Sequence, residues 1–258
     1  MLSKLTVVLL ILFVSLSGCA KNRSLAPPAD SEQMTITVKV PDELKPRTLE
    51  AMYRSAVCKR ITHGASGQRI ELEGYHGIKV RLEQQGQSDL FQAKLPMDGG
   101  GACQWHLSNV TFGVTYGNPT RFGGDVTSGA GGGVVVRFDD NRPSRSEGSI
   151  QDIDGDLIIK KDYYPWVKEN AIGEYSKRIS LLGYGEYYYL NYKAVSARSV
   201  HFEPVFHADF VVSSTGPRVK VKGGLEKFIY PDGSVEEVAR AKPDFRKLEA
   251  IRQAAESK

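Results

Sequence analysis

"MTITVKV", Met34 to Val40, sets Ile36, Val38 and Val40 on one side and Thr35, Thr37 and Lys39 on the other. Apolar and polar residues alternating with a period of two predict a half-buried β-strand, because successive strand side chains point to opposite faces of a sheet. The same reading extends along the chain. It predicts strands in "TLEAMYRSAVC" (Thr48 to Cys58), "GIKVRLEQ" (Gly77 to Gln84), "DLFQAKLP" (Asp89 to Pro96), "WHLSNVTFGVTY" (Trp105 to Tyr116) and "GGVVVRFD" (Gly132 to Asp139). Each is bounded by Gly, Pro, Asn or Asp, which turn or end a strand.

The second half is also strand-rich. "SIQDIDGDLIIKK" (Ser149 to Lys161), "EPVFHADFVVSS" (Glu203 to Ser214), "RVKVKGG" (Arg218 to Gly224) and "LEKFIYPDGSVEEVA" (Leu225 to Ala239) carry the pattern. In the last, Pro231-Asp232-Gly233 supplies the fixed and positive φ of a hairpin turn. From Pro243 onward Phe245, Leu248, Ile251 and Ala255 recur at helical spacing, which predicts a short C-terminal helix. Between the halves "DNRPSRSEGS" (Asp140 to Ser149) is polar and aperiodic, and reads as a boundary. The expectation is a mainly β protein of two β-sandwich-like domains, 34–141 and 149–258, with one continuous sandwich as the alternative.

The N-terminus reads as a targeting segment. Lys4 is followed by an apolar run from Leu5 to Leu16, and Leu16-Ser17-Gly18-Cys19 closes it with small residues before a cysteine. Residues 1–18 form a charged region, a short apolar region and a processing site. The run is shorter than the roughly 20 residues a spanning helix needs. Leu-Ser-Gly-Cys resembles the bacterial lipobox, which implies acylation of Cys19. Ala20 rather than Asp after the cysteine implies delivery to the periplasmic face of the outer membrane, with the lipid as the membrane contact. Residues 19–33, polar with a Pro-Pro pair, read as a flexible tether.

With Cys19 assigned to lipid, Cys58 and Cys103 remain. In an oxidising compartment an even remainder reads as one disulfide, with a pair of free thiols as the alternative. Closing such a loop restrains the unfolded chain by about 3 to 4 kcal/mol. Asp98-Gly99-Gly100-Gly101 then reads as a turn into the strand near Gln104, with Cys103 as its fastening rather than a nucleophile.

Of 34 Lys and Arg side chains the targeting segment removes Lys4, leaving 33 against 30 Asp and Glu, or +3. That mixed surface, with no long block of one sign, gives no footprint for nucleic acid. "DIDGD" (Asp152 to Asp156) lacks the ligand spacing of a calcium loop and reads as a β-turn. "GGDVTSGAGGGVVV" (Gly123 to Val136) lacks the Gly-Lys-Ser/Thr ending of a phosphate loop. His63, His76, His106, His201 and His207 show no metal-ligand spacing, and no nucleophile elbow or triad stands out. The expectation is therefore no catalytic residue, no metal, no cofactor and no enzyme.

Aromatic residues concentrate between Tyr163 and Tyr192. Tyr163, Tyr164, Trp166, Tyr184, Tyr187, Tyr188 and Tyr189 read as a partner-binding face, because Tyr and Trp give large contact area at low conformational cost. The alternative is alternating tyrosines inside a sandwich strand.

"YRSAVCK", "LPMDGGGACQWHLSNVTFGVTY" and "GAGGGVVVRFDDNRP" together resemble a family of enterobacterial lipoproteins found beside type VI secretion effectors. The match covers most of residues 34–143 and is most specific over Asp98 to Asn109. The resemblance implies an immunity lipoprotein that binds and neutralises an antibacterial effector in the periplasm, the effector being a phospholipase. The other class compatible with these features is an envelope or secretion-apparatus assembly lipoprotein with a structural binding role.

Overall fold

The computed structural model describes residues 22–143, 148–183, 189–217, 219 and 223–257. The targeting segment, Cys19, Tyr184, Tyr187, Tyr188 and most of Arg218 to Lys222 lie outside the described residues. The chain is mainly β. Its first strands are β1 (Gln33–Lys39), β2 (Leu44–Pro46), β3 (Leu49–His63), β4 (Arg69–Val80), β5 (Glu83–Gln84) and β6 (Leu90–Pro96). They are followed by β7 (Asp98–Gly100), β8 (Trp105–Tyr116), β9 (Val126–Ser128), β10 (Gly132–Arg137), β11 (Gln151–Asp152) and β12 (Leu157–Asn170). Then come β13 (Ser176–Gly183), β14 (Tyr189–Lys193), β15 (Ser199–Phe206), β16 (Val212–Thr215), β17 (Glu226–Ile229), β18 (Val235–Val238) and the short helix α1 (Phe245–Glu256).

Among the described residues the strands form two sheets. A ten-stranded sheet runs β18-β17-β16-β12-β15-β1-β6-β5, with β13 and β9 joined beside β12. An eight-stranded sheet runs β11-β14-β10-β8-β3-β4, with β2 and β7 on β8. The main core lies between them. Phe112 on β8 meets Phe202 on β15 edge to face at 6.2 Å, and Met34, Ile36, Tyr53, Val110, Val134, Ile159 and Val200 are among the side chains that fill the layer. The alternation of β1 holds here: Met34, Ile36 and Val38 are fully buried.

A second buried cluster covers the other face of the ten-stranded sheet. Tyr164, Trp166, Leu182, Val212, Phe228 and Tyr230 meet Leu248 of α1, with Phe245 and Ile251 packed alongside. Asp244 caps the helix: its carboxylate accepts from the backbone N–H of Arg246 and Lys247. The sandwich-like layering, the two buried clusters and the C-terminal helix match the fold class read from the sequence.

The expected boundary at 140–149 is corrected, because both sheets draw strands from both sides of it. β1 pairs in parallel with β15, Thr35 opposite Ser199, and antiparallel with β6. β10 pairs in parallel with β14, Val135 opposite Asn191. Parallel neighbours require a crossover connection, so the polar break marks a crossover and not a gap between separate cores. Residues beyond β10 also turn back onto the eight-stranded sheet, where Asn141 Nδ2 donates to Glu73 Oε2 at 3.3 Å.

The tether is corrected in the same way. From Asn22 onward the chain is a strap on the start of β8: Trp105 Nε1 donates to Arg23 O at 3.0 Å, and Ala26 N donates to Gly99 O at 2.9 Å. Leu25 packs against the main core. The glycine turn receives the strap. Gly100 has φ of 53°, and a Cβ there would lie 2.3 Å from Ala26 O, so the close approach excludes any side chain.

Candidate protein-binding face

Cys58 and Cys103 form the disulfide, bridging β3 to the turn before β8 with Cα atoms 5.2 Å apart. Beside it the Ser55 hydroxyl donates to Cys103 O and accepts from Cys58 N. These two fastenings sit where β3 leaves the sheet. Its ladder with β8 runs only from Glu50 to Arg54, while its ladder with β4 continues through a bulge to His63 opposite Arg69.

The outer part of the β3–β4 hairpin is therefore an arm, paired within itself and exposed along most of its length. Val57 (46%), Ile61 (54%), Leu72 (37%) and Tyr75 (56%) stand exposed on it. Arg69 and Lys59 hold Glu71 at 3.0 and 3.4 Å, and the Arg60 guanidinium lies 5.4 Å from the Tyr75 ring centre. Exposed apolar side chains grouped on one rigid projection are a feature of interaction surfaces, whereas isolated ones are ordinary.

At the foot of the arm the outer face of the eight-stranded sheet is recessed into a groove of about 670 Å³. Its floor includes Asn109 and Thr111, both buried, and its walls include Arg54, Arg60, Lys79 and Arg142. Glu50 sits opposite Lys79 in the ladder, and Arg54 opposite Tyr75.

The aromatic cluster expected to bind a partner divides differently. Tyr163, Tyr164 and Trp166 are buried, at 5, 0 and 3% exposure, and are corrected from surface to core. Alternation sends Tyr163 into the main core and its neighbour Tyr164 into the second cluster, because β12 is covered on both faces. Burial drives the Tyr163 hydroxyl well above its ordinary pKa. Pro165, which has no N–H to donate, falls where β12 exchanges β15 for β16 as its neighbour. Tyr189 remains partly exposed on the outer face, with its hydroxyl accepting from Arg47 Nη1 at 3.2 Å.

The other sequence candidates also find places. Asp156 Oδ1 accepts from the backbone N–H of Arg198 and Ser199, each at 2.8 Å, and those bonds hold its carboxyl below the usual range. Gly155 takes φ of 80°, so "DIDGD" is a turn that pins β12 to the loop before β15. His207 Nε2 lies 2.7 Å from Asp162 Oδ1 and its ring stacks on Tyr164 at 4.8 Å. His76 packs on Trp105, centroids 5.5 Å apart.

The arm and groove residues were not singled out from the sequence. A usable signal was present in "CKRITHGASGQRIELEGYHG", Cys58 to Gly77, where apolar residues occur without a consistent buried side. Searches of family models, curated proteins and solved structures each return no match to this chain.

Proposed function

We propose that this chain is a lipid-anchored immunity protein that binds and neutralises an antibacterial type VI secretion effector, a phospholipase, at the periplasmic face of the outer membrane. The observation that carries this reading is the β3–β4 arm: a projecting hairpin, fastened at its root by Cys58–Cys103 and bearing exposed Val57, Ile61, Leu72 and Tyr75. An inhibitor needs a pre-organised complementary surface, since ordering side chains and loops on binding costs affinity. The strap adds support. With Cys19 as the anchor, the three residues to Asn22 reach at most about 10 Å, so the folded body is held at the membrane where a phospholipase acts. Confinement there raises the effective concentration without any new contact.

The test is coexpression of the lipoprotein with a candidate type VI phospholipase effector from the same genome, directed to the periplasm. Survival of the cells and copurification of a complex with nanomolar affinity are the expected results. Cell death and no complex, with both proteins folded, would reject the reading in favour of an envelope-assembly role.

A further inference from the structure

We propose that the groove at the foot of the arm receives an acidic segment of the effector, whose carboxylates seat among Arg54, Arg60, Lys79 and Arg142. This rests on the effector-binding reading above and names the chemistry of its contact.

Charge comes first. Among the described lining residues four side chains are cationic and one, Glu50, is a carboxylate. Lys79 and Glu50 are cross-strand neighbours in the ladder, so around that carboxylate the described lining is predominantly cationic. A recess of that sign draws in an anionic group and suppresses partners of like charge.

Hydrogen bonding points the same way. Arg54 Nε is shielded from solvent and has no acceptor among the described residues. Arg137 is on the same face, since its neighbours Val134 and Val136 point into the main core. It is 6% exposed, and its Nε is likewise shielded and without an acceptor. Buried donors are normally satisfied, and a guanidinium is matched by a carboxylate, which accepts two parallel N–H bonds. The Tyr75 ring beside Arg60 adds an apolar wall against which the stem of an Asp or Glu packs.

Shape distinguishes a protein segment from a bilayer. The buried floor at Asn109 and Thr111 lies beneath the walls formed by the arm on one side and Arg142–Pro143 on the other. A projecting loop reaches such a floor, whereas a bilayer presents its headgroups as a broad surface.

The test uses the full lipoprotein in detergent and the purified phospholipase effector that it protects against in the coexpression test. Arg60→Glu combined with Lys79→Glu reverses two exposed charges, Arg54→Gln removes the guanidinium whose Nε is shielded, and Ile158→Glu alters an exposed position on the ten-stranded sheet as a control. The double reversal is expected to weaken binding roughly 30-fold, mainly through slower association, with the difference shrinking as salt is raised. Arg54→Gln is expected to weaken it roughly tenfold through faster dissociation, while the control binds as the parent does. Melting temperatures check that each variant is folded, and the single Arg54→Gln decides the matter if the double reversal is not.

Folded groove variants that bind within about threefold of the parent would overturn the proposal while leaving the immunity reading intact. Phosphatidylglycerol vesicles provide the second arm. Vesicle binding abolished by the double reversal, with effector affinity unchanged, would assign the groove to lipid and also overturn it. Absence of any complex with the parent protein would reject the functional reading first, before a variant is compared.

Discussion

Removing the cross-link by Cys58→Ala with Cys103→Ala tests how the arm is held. The bridge closes a separation of 45 residues. In the chain-entropy treatment a loop of that size removes about 13 cal/mol/K from the unfolded ensemble, or about 4 kcal/mol at 25 °C. The folded state changes less, because Ser55 still ties Cys103 O to the bulge through its hydroxyl. Both cysteines are buried, at 5 and 0% exposure, so the small void left by alanine adds to the loss. A domain of this size loses roughly 2 to 4 °C of Tm per kcal/mol, which gives an expected fall of about 8 to 16 °C.

Urea unfolding followed by fluorescence is the assay. Trp105, 2% exposed and two residues from Cys103, reports on the root of the arm. The double-alanine protein and the reduced parent should unfold at similar midpoints, both well below the oxidised parent. Hydrogen exchange should show the arm loosening more than β8, because the β3–β8 ladder ends at Arg54. A stability loss below about 1 kcal/mol with an unchanged m-value would refute the loop-closure reasoning.

Two further outcomes follow from the second cluster. Leu248, on the inner face of α1, is fully buried, so Leu248→Ala should cost about 2 to 5 kcal/mol. Faster amide exchange in α1 than in β8 would show that the helix face is the site of the loss. Glu236 is held below its ordinary pKa first by the Lys247 ammonium, which donates to it at 2.9 Å, and also by Tyr230 and Arg240. A carboxyl depressed on folding contributes stability that is complete above its unfolded value, 4.5, and is lost as the pH falls through the lower folded value. Glu236→Gln should therefore lower stability at neutral pH and flatten the acid limb below pH 4.5 in pH-jump unfolding. An acid limb identical to the parent's would refute that linkage.

Local signals carried much of the secondary structure. The alternation in Met34 to Val40 and the run from Trp105 to Tyr116 became β1 and β8. The Asp232-Gly233 turn joins β17 to β18, with Tyr230 N donating to Ser234 O at 3.0 Å and Gly233 at φ of 82°. Helical spacing from Phe245 placed α1, and the pairing read for Cys58 and Cys103 matched the bridge. In each case the determining interaction is local or rests on residue type: which side of a strand is apolar, where φ turns positive, which thiols remain to pair.

Partnership between distant segments was another matter. Alternation states that a strand has a buried side but not which strand lies beside it, so nothing in Met34 to Val40 announces β15 as its neighbour. The polar stretch 140–149 looked like a boundary because a crossover and an interdomain linker have the same composition. Likewise, "YYPW" is equally rich in tyrosine whether it faces water or two cores. It was the placement of the opposing sheet on one side and α1 on the other that buried Tyr163, Tyr164 and Trp166. The arm and its cationic groove arose from the same cause: β8 stops pairing with β3 at Arg54, and β4 alone accompanies β3 beyond it. Periodicity, turns and cysteine pairing were thus determined by the sequence on its own. Burial and exposure were decided by long-range strand pairing, because they depend on which surfaces the folded chain brings together.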